Sequence, residues 1–370
     1  MNLAILAGNI KRIRTAQKVS QLSLAQCAGL SVIAIKKIEA ADHAPRLSTL
    51  QAIAKALNIR LQQLFLPVPT LTAVRFRANK KVQGRDQILA KVQHWLNDYH
   101  FLESSLNDHK PYRLSEIAVA NKRRINPKEL AIQARKLLEI KVDEPISDIC
   151  GLLEHAGIKA LPYHYASDSF FGLSVGPSEK GPAIVVNTWE RISIERQVFS
   201  AAHELGHLLM HLQSFHYTEI EENKTEEDEA NQFAGQFLMP DAGFLQAWND
   251  AAGLHVVDRV MKVKSIFRVS YKAVLWRLIE QKKATSDVWV KFPAAYLRRY
   301  NKKLAFKEEP SSETSEPDGM SKFAFYENRL SRLVRTAIEQ ESISISRGAE
   351  ILNMPIDQLQ DQLNGAEVLF

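Results

Sequence analysis

Residues 199–211 read FSAAHELGHLLMH, and this stretch predicts a buried helix with a chemically active face. On a helical wheel, the apolar side carries Val198, Ala202, Leu205, Leu208, Leu209 and Leu212. The opposite side carries Ser200, His203, Glu204, His207 and His211. A helix with so complete an apolar stripe is buried, and two imidazoles on its other face are costly to bury without partners. A metal ion bound by both rings would remove that cost.

The spacing of the two histidines has a direct chemical meaning. His203 and His207 are four residues apart, so both rings lie on one helix face and can bind one zinc ion at about 2.0–2.1 Å. Glu204 lies beside them and is too short to be a ligand. Zinc lowers the pKa of a bound water from about 15.7 to about 7, so we expect Glu204 to act as general base and then to protonate the leaving amine. The motif therefore predicts a zinc hydrolase.

The third metal ligand is expected from the following helix, residues 225–240, which read TEEDEANQFAGQFLMP. Thr225 is the expected N-cap of this helix. Glu227 lies at the margin of its apolar face and Asn231 follows one turn later, which predicts Glu227 as the inward ligand and Asn231 as a residue that orients a ligand. Glu229 points away from that side and is the alternative ligand.

The first 66 residues contain short apolar-periodic segments separated by turn signals. They predict helices near residues 3–17, 23–28, 31–39, 47–56 and 60–65. In SLAQCAGLSVIAIKKIE (residues 23–39), Ser23 is the expected N-cap of one helix and Ser31 that of the next. Gly29 ends the first of these helices. Such punctuation is typical of a helix-turn-helix motif in a compact bundle.

About residues 7–66 resemble the helix-turn-helix domain of XRE-family (Cro/CI-type) repressors. The resemblance implies that the helix beginning at Ser31 enters the major groove of DNA. There, Val32 and Ile33 would touch thymine methyl groups, and Lys36 and Lys37 would contact phosphates. A bundle used for dimerisation or partner docking is the alternative.

The charge distribution favours a DNA partner for the N-terminal segment. Residues 1–81 contain 13 lysines and arginines but only two acidic residues, whereas the whole chain has a net charge of +6. The remainder of the chain is therefore mildly acidic. We expect a polyanion partner for the first segment alone.

The middle of the chain predicts an α+β unit. Strands are expected in IKALPYH (158–164) and AIVVNTW (183–189), separated by the glycine and proline turns of residues 172–182. Residues 184–186 are either an edge strand that could pair with an extended peptide substrate or an inner strand.

Roughly residues 130–280 resemble the ImmA/IrrE family of zinc metallopeptidases. The resemblance rests on RQVFSAAHELGHLLMH, on EEDEANQFAGQFLMP some twenty residues later, and on the upstream segments PISDICGLLEHAGI and AIVVN. It implies a zincin-like peptidase domain in which His203, His207 and Glu227 bind zinc and Glu204 is the base. Because some relatives cleave a repressor, it also implies a regulatory protein as substrate.

The predicted fold class is a multidomain chain with an all-α helix-turn-helix bundle, an α+β zincin-like metallopeptidase domain and a small C-terminal helical segment. The predicted boundaries are 1–68 for the helix-turn-helix domain, 69–125 for a helical connector, 126–285 for the peptidase domain, 286–320 for a flexible linker and 321–370 for the C-terminal helical module. The linker prediction depends on KEEPSSETSEPDG at 307–319, which is rich in charge, serine and proline.

The predicted function is that of a DNA-binding regulatory zinc metallopeptidase that cleaves a repressor-like or other partner protein. The chain has no 18-residue uncharged apolar run and only two cysteines, so we expect a cytoplasmic protein without a membrane partner. Repressor-type domains usually act as dimers, which makes a homodimer an option. The alternative is a non-proteolytic XRE-family regulator or antitoxin that uses the peptidase-like domain as a sensor.

Three histidine and tyrosine side chains near the motif have open roles. His211 is expected to be a structural histidine rather than a ligand. His216 or Tyr217 could stabilise an oxyanion or simply belong to a surface loop.

Overall fold

The computed structural model describes residues 3–17, 19–59, 61–65, 71, 74–78, 85–120, 126–178, 180–215, 223–304, 317–321, 325–326 and 328–369. The chain divides into two compact units, Met1–Leu71 with Gln83–Trp95, and Thr72–Val82 with Leu96–Phe370. A membrane span would need a longer and more apolar helix than any found in these described segments.

The first unit contains the predicted helical bundle. Its helices are α1 (Leu3–Ala16), α2 (Gln21–Ala28), α3 (Val32–Glu39) and α4 (Leu47–Ala56), followed by a 3-10 turn at Leu61–Leu64. The core of the bundle is built from Leu6, Ile10, Leu24, Ile35, Leu50, Ile53 and Leu57. Periodic leucine and isoleucine residues thus bury one face of each short helix.

The ends of α2 and α3 have the predicted capping residues, with one correction. Ser31 caps α3, since its side chain accepts the backbone N–H of Ala34 at 3.1 Å, and Gly29 has the left-handed φ of 66° that ends α2. The prediction of Ser23 as the N-cap of α2 was wrong. Ser20 has the extended backbone that a cap needs, and its hydroxyl accepts the N–H of Ser23 at 3.0 Å.

Glu39 fixes the end of α3 against the rest of the bundle. Its carboxylate accepts hydrogen bonds from Arg14 Nε at 2.6 Å and from Gln21 Nε2 at 2.7 Å. Because these donors lie on α1 and next to the start of α2, one buried carboxylate sets the position of the helix that follows the turn.

The second unit contains a four-stranded sheet. The strands are β1 (Val74–Ala78), β2 (Lys159–Tyr163), β3 (Phe170–Val175) and β4 (Ala183–Asn187). Their order is β1-β3-β4-β2, with β1–β3 and β3–β4 antiparallel and β4–β2 parallel. Residues 184–186 therefore lie in an inner strand, and the edge-strand alternative was wrong.

Two of the four strands lie where the sequence predicts other structure. β3 replaces part of the expected turns at 172–182, and Gly172 explains why its pattern was misread. A Cβ on Gly172 would lie 3.0 Å from the carbonyl oxygen of Val185 and 3.1 Å from a carboxylate oxygen of Glu204. The glycine thus permits close packing inside a strand. β1 lies in the segment 69–125 that was predicted as a helical connector.

Thirteen further helices are described in the remaining chain, and the first of them, α5, begins in the first unit. They are α5 (Arg85–Ser105), α6 (Ser115–Ala120), α7 (Pro127–Leu137), α8 (Ile149–His155), α9 (Ile194–Met210), α10 (Lys224–Leu238), α11 (Asp241–Asp250), α12 (Val256–Phe267), α13 (Tyr271–Glu280), α14 (Val288–Tyr300), α15 (Arg329–Glu339), α16 (Ile345–Leu352) and α17 (Ile356–Leu369). α9 packs against β3 and β4 on one side and α10 on the other. The predicted fold class, a helical bundle followed by an α+β domain and a helical C-terminus, is confirmed.

The segment predicted as a linker, 286–320, contains the helix α14. Phe292 and Tyr296 of this helix are buried in the main core, and Phe292 stacks on Tyr271 with ring centroids 5.6 Å apart. These apolar residues explain why the helix docks instead of extending into solvent. Most of KEEPSSETSEPDG, residues 307–316, lies outside the described part of the chain.

Candidate metal centre

Helix α9 brings the two histidines of the opening motif together. Ser193 caps the helix, and His203, Glu204 and His207 are all 0% exposed. The imidazole rings of His203 and His207 have centroids 4.6 Å apart, and their Nε2 atoms are 2.9 Å apart. The i, i+4 spacing thus places both ring nitrogens at one point inside the protein.

Helix α10 adds a carboxylate to this point. Oε2 of Glu227 lies 3.2 Å from Nε2 of His203, and Oε1 lies 3.2 Å from Nε2 of His207. Gly206 allows the close approach of the two helices, because a Cβ there would lie 3.1 Å from the ring of Phe233. The N-cap of α10 is Asn223 rather than the predicted Thr225, since the Asn223 side chain accepts the first free backbone N–H groups.

Asn231 orients the first histidine. Its Oδ1 lies 2.9 Å from Nδ1 of His203, so Nδ1 donates and Nε2 keeps its lone pair. Asn231 is one helical turn after Glu227 on α10. One helix therefore supplies both a carboxylate for the site and the partner that sets the tautomer of a facing imidazole.

A chain of two hydrogen bonds through His211, here called the relay, orients His207. Nδ1 of His207 lies 2.9 Å from Nδ1 of His211, and Nε2 of His211 lies 2.9 Å from Oε2 of Glu229. Because the carboxylate can only accept, His211 donates to it from Nε2. Its Nδ1 is then the acceptor for His207, which leaves Nε2 of His207 with a lone pair. Glu229, the alternative ligand in the sequence, instead binds His211.

Protonation states agree with a ligand role for these groups. Burial holds the pKa of His207 well below its usual value and also lowers the pKa of His211, against the opposing contact with Glu229. The imidazole of His207 is therefore expected to be neutral at neutral pH, which is the form that can bind a metal ion.

The donor set fits a divalent cation. Both Nε2 lone pairs and the carboxylate oxygens of Glu227 are acceptors that face one another at 2.9–3.2 Å. Such an arrangement is repulsive in a buried place unless a cation lies between the groups. Among the described residues, His100, Glu103 and His109 form another cluster with suitable atoms. There, however, Glu103 already pairs with Lys159 at 3.1 Å and Arg329 at 2.7 Å.

Strand β3 positions the carboxylate of Glu204. The Ser174 hydroxyl donates a hydrogen bond to Glu204 Oε2, and both side chains are fully buried. Gly172, two residues earlier on the same strand, leaves room for the carboxylate. Sequence reasoning missed Ser174 and Gly172, because neither residue type nor spacing links this strand to a glutamate thirty residues later.

Strand β1 contributes a cation that was also missed. The Arg75 guanidinium lies 3.2 Å from Oε1 of Glu227 and also contacts the carboxylate of Glu226. In the sequence, Arg75 belongs to a basic connector, and only the pairing of β1 with β3 brings it to the metal centre. Arg75 can therefore hold the carboxylate of Glu227 in place.

The sequence also predicted residues that contact DNA and residues that could stabilise an oxyanion. The cap residue Ser31 is exposed, and on α3 Ile33 (67%), Lys36 and Lys37 are exposed, whereas Val32 is half-buried against the bundle core. Ile33, Lys36 and Lys37 lie on one face of the helix, whereas Ser31 caps it. His216 and Tyr217 lie outside the described residues.

The relay through His211 can be tested by metal affinity. Replacing Glu229 with alanine is expected to weaken zinc binding by about 10- to 100-fold, as loss of an orienting partner does at other metal sites. Competition with a chromophoric chelator measures the affinity. Asp228→Ala, an exposed carboxylate on the same helix, is the control and should bind zinc as the parent does. Equal affinities for the two variants would contradict the relay.

Comparisons with known proteins add family assignments for two segments. A family described as the IrrE N-terminal-like domain matches residues 155–278, and one described as helix-turn-helix matches residues 10–64. No match to this chain was found among curated proteins.

Two solved structures are similar to the chain at low identity. One is Bacillus thuringiensis PlcR in complex with the peptide PapR7 and DNA, with 11% identity over 97% of this chain and 91% of that chain and a TM-score of 0.19. The other is the apo form of ComR from S. thermophilus, with 12% identity over 99% of each chain and a TM-score of 0.17. TM-scores this low do not show a common overall fold.

Proposed function

The chain carries a helix-turn-helix domain at residues 10–64 and an IrrE N-terminal-like domain at residues 155–278, and from these we propose that it is a DNA-binding regulator with a zinc metallopeptidase domain. It hydrolyses a peptide bond in a repressor or another regulatory protein of the cytoplasm. The observation that carries the proposal is the convergence of His203, His207 and Glu227 beside the buried Glu204.

The donor set supports zinc in particular. Two imidazoles and one carboxylate are a typical set of protein ligands for catalytic zinc, which keeps a further position open. When bound, zinc polarises a peptide carbonyl and makes water acidic enough to be deprotonated at neutral pH. His203, His207 and Glu227 are the proposed ligands, and Asn231 fixes the ring of His203.

Glu204 is the proposed catalytic base. Its carboxylate accepts a proton from the attacking water and returns it to the leaving amine. Ser174 donates a hydrogen bond to one carboxylate oxygen and so limits the rotation of the side chain. Strand β3 thereby holds the general base in position, since both Ser174 and Gly172 lie against it.

For the domain layout, we retain 1–68 as the DNA-binding domain and 126–285 as the core of the peptidase domain, to which α14 adds a docked helix. Residues 321–370 are the proposed C-terminal helical module. A homodimer through the helix-turn-helix domain would place two copies of α3 on one operator.

The exposed surface of α3 supports the DNA-binding half of the proposal. Lys36 and Lys37 lie next to each other in solvent and carry the charge needed for phosphates. Ile33 can contact a thymine methyl group. Because the charged residues of this surface suit phosphates rather than base edges, we expect affinity that depends more on salt than on sequence.

Replacing both Lys36 and Lys37 with alanine should weaken DNA binding about equally on all sequences. Each lost phosphate contact is expected to reduce the slope of log affinity against log salt by about one. Fluorescence anisotropy with DNA from the protein's own promoter region, over a potassium chloride series, measures both quantities. Lys291→Ala, an exposed lysine on α14, is the control. An unchanged slope in the double variant would show that α3 does not contact DNA.

Metal analysis of the purified full-length chain tests the peptidase half. Stoichiometric zinc, together with cleavage of the product of the neighbouring gene, is expected. Zinc without cleavage would instead indicate a sensor domain.

A further inference from the structure

A large cavity adjoins the candidate metal centre within the second unit. Its volume is about 890 Å³, and pockets that bind ligands typically measure about 300–1,000 Å³. The cavity lies between the first half of α9, the helix α10 and the helix α13. Asn231 is part of its wall and contacts His203. Asn231 is thus shared between the cavity wall and the metal centre, and the cavity lies next to His203.

Basic side chains outnumber acidic ones in the cavity wall. Its basic side chains are Lys128, Arg191, Arg196, Lys272 and Arg277. Arg277 is already paired with Asp241 at 2.6 Å and with Glu280 at 3.2 Å, and Glu280 also lies 3.6 Å from Lys128. A second acidic side chain in the wall, Glu195, pairs with Lys264 at 2.7 Å. The third, Asp228, is exposed. The surplus of positive charge favours an anionic occupant.

Two of the arginines are held in fixed orientations by aromatic rings. The guanidinium carbon of Arg196 lies 3.9 Å from the ring centroid of Phe171, and that of Arg191 lies 4.6 Å from the ring centroid of Trp189. A guanidinium stacked on a ring still directs its N–H groups outward in its own plane, where they can bind a carboxylate with two hydrogen bonds.

Aromatic side chains form another part of the wall. Phe199, Tyr271 and Trp276 line the cavity, and Trp276 is 59% exposed. Lys272 Nζ lies 5.9 Å from the ring centroid of Tyr271. An exposed tryptophan beside fixed cations is a combination that recognises an acidic segment containing a large apolar side chain.

We propose that this cavity binds an acidic segment of the polypeptide substrate, with its carboxylates on Arg191, Arg196 and Lys272 and an aromatic or large apolar side chain against Trp276. The inference deepens the proposed function, because it names the class of polypeptide that enters beside the metal centre. Charge and shape in this cavity then select which bond of a partner protein reaches Glu204.

A binding experiment tests this inference without depending on cleavage. The full-length chain carrying Glu204→Gln is titrated into two labelled peptides, Asp-Glu-Phe-Glu-Asp and Lys-Arg-Phe-Arg-Lys, with both ends blocked, and anisotropy is recorded. Only the acidic peptide is expected to bind. Adding Arg196→Gln and Lys272→Gln should weaken its binding by roughly 10-fold or more. Arg298→Gln with Lys302→Gln, which removes the same two charges from exposed positions, should leave binding unchanged.

Other outcomes separate this inference from the proposed function. Equal binding of both peptides, unchanged binding in the cavity variant, or displacement of the acidic peptide by inorganic phosphate or duplex DNA would overturn it. If the double variant unfolds in a thermal scan, Lys272→Gln alone provides the same comparison at a half-buried position. Selective binding of the acidic peptide by a parent chain that cleaves nothing would preserve the cavity's ligand class and refute the peptidase.

Discussion

Replacing Glu227 with alanine is expected to remove zinc from the purified protein. Three protein ligands are the usual minimum for a catalytic zinc site, and the two imidazoles left by this change would hold the ion only weakly. The loss should exceed the roughly 10- to 100-fold decrease expected for an orienting residue such as Glu229. Elemental analysis of protein dialysed against metal-free buffer measures the zinc content directly.

Two comparisons make the result specific to the ligand. Asp228→Ala, next to Glu227 on α10 but exposed, should keep stoichiometric zinc. A chelator should lower the thermal unfolding temperature of the parent and of this control, because bound metal stabilises the folded state, whereas Glu227→Ala should be insensitive to the chelator. Full zinc content in Glu227→Ala would refute the proposed ligand set and, with it, the enzyme hypothesis.

The sequence predicts the parts of this site that depend on local spacing. A spacing of four positions from His203 to His207 places both rings on one face of any helix, whatever surrounds it. Glu227 and Asn231 follow the same rule on the next helix. Their convergence on a single point depends on the packing of α9 against α10, which Gly206 permits.

The parts that the sequence did not predict come from long-range pairing. β1 is short and lies in a basic segment. It forms a strand because it pairs with the edge of β3. Arg75 thereby reaches Glu227, although 152 residues separate them. Likewise, nothing next to Ser174 in the sequence links it to Glu204, because their contact forms only when β3 packs against α9. A pattern within one segment contains no information about which distant segment will lie opposite it.

The second large effect is expected from Glu204→Gln, which should retain zinc and lose peptide cleavage. Glutamine has the shape of glutamate but cannot accept the proton of the attacking water. Because general acid–base catalysis contributes about 10²- to 10⁴-fold to a rate, cleavage should fall by at least that factor. The assay incubates the zinc-loaded chain with the product of the neighbouring gene and follows the fragments by mass spectrometry.

Ser174→Ala provides an intermediate variant for the same assay. It removes one hydrogen bond to the Glu204 carboxylate but leaves the base itself, so a smaller decrease in cleavage with unchanged zinc is expected. Cleavage that survives Glu204→Gln at the parental rate would exclude Glu204 as the base, even if zinc remained bound.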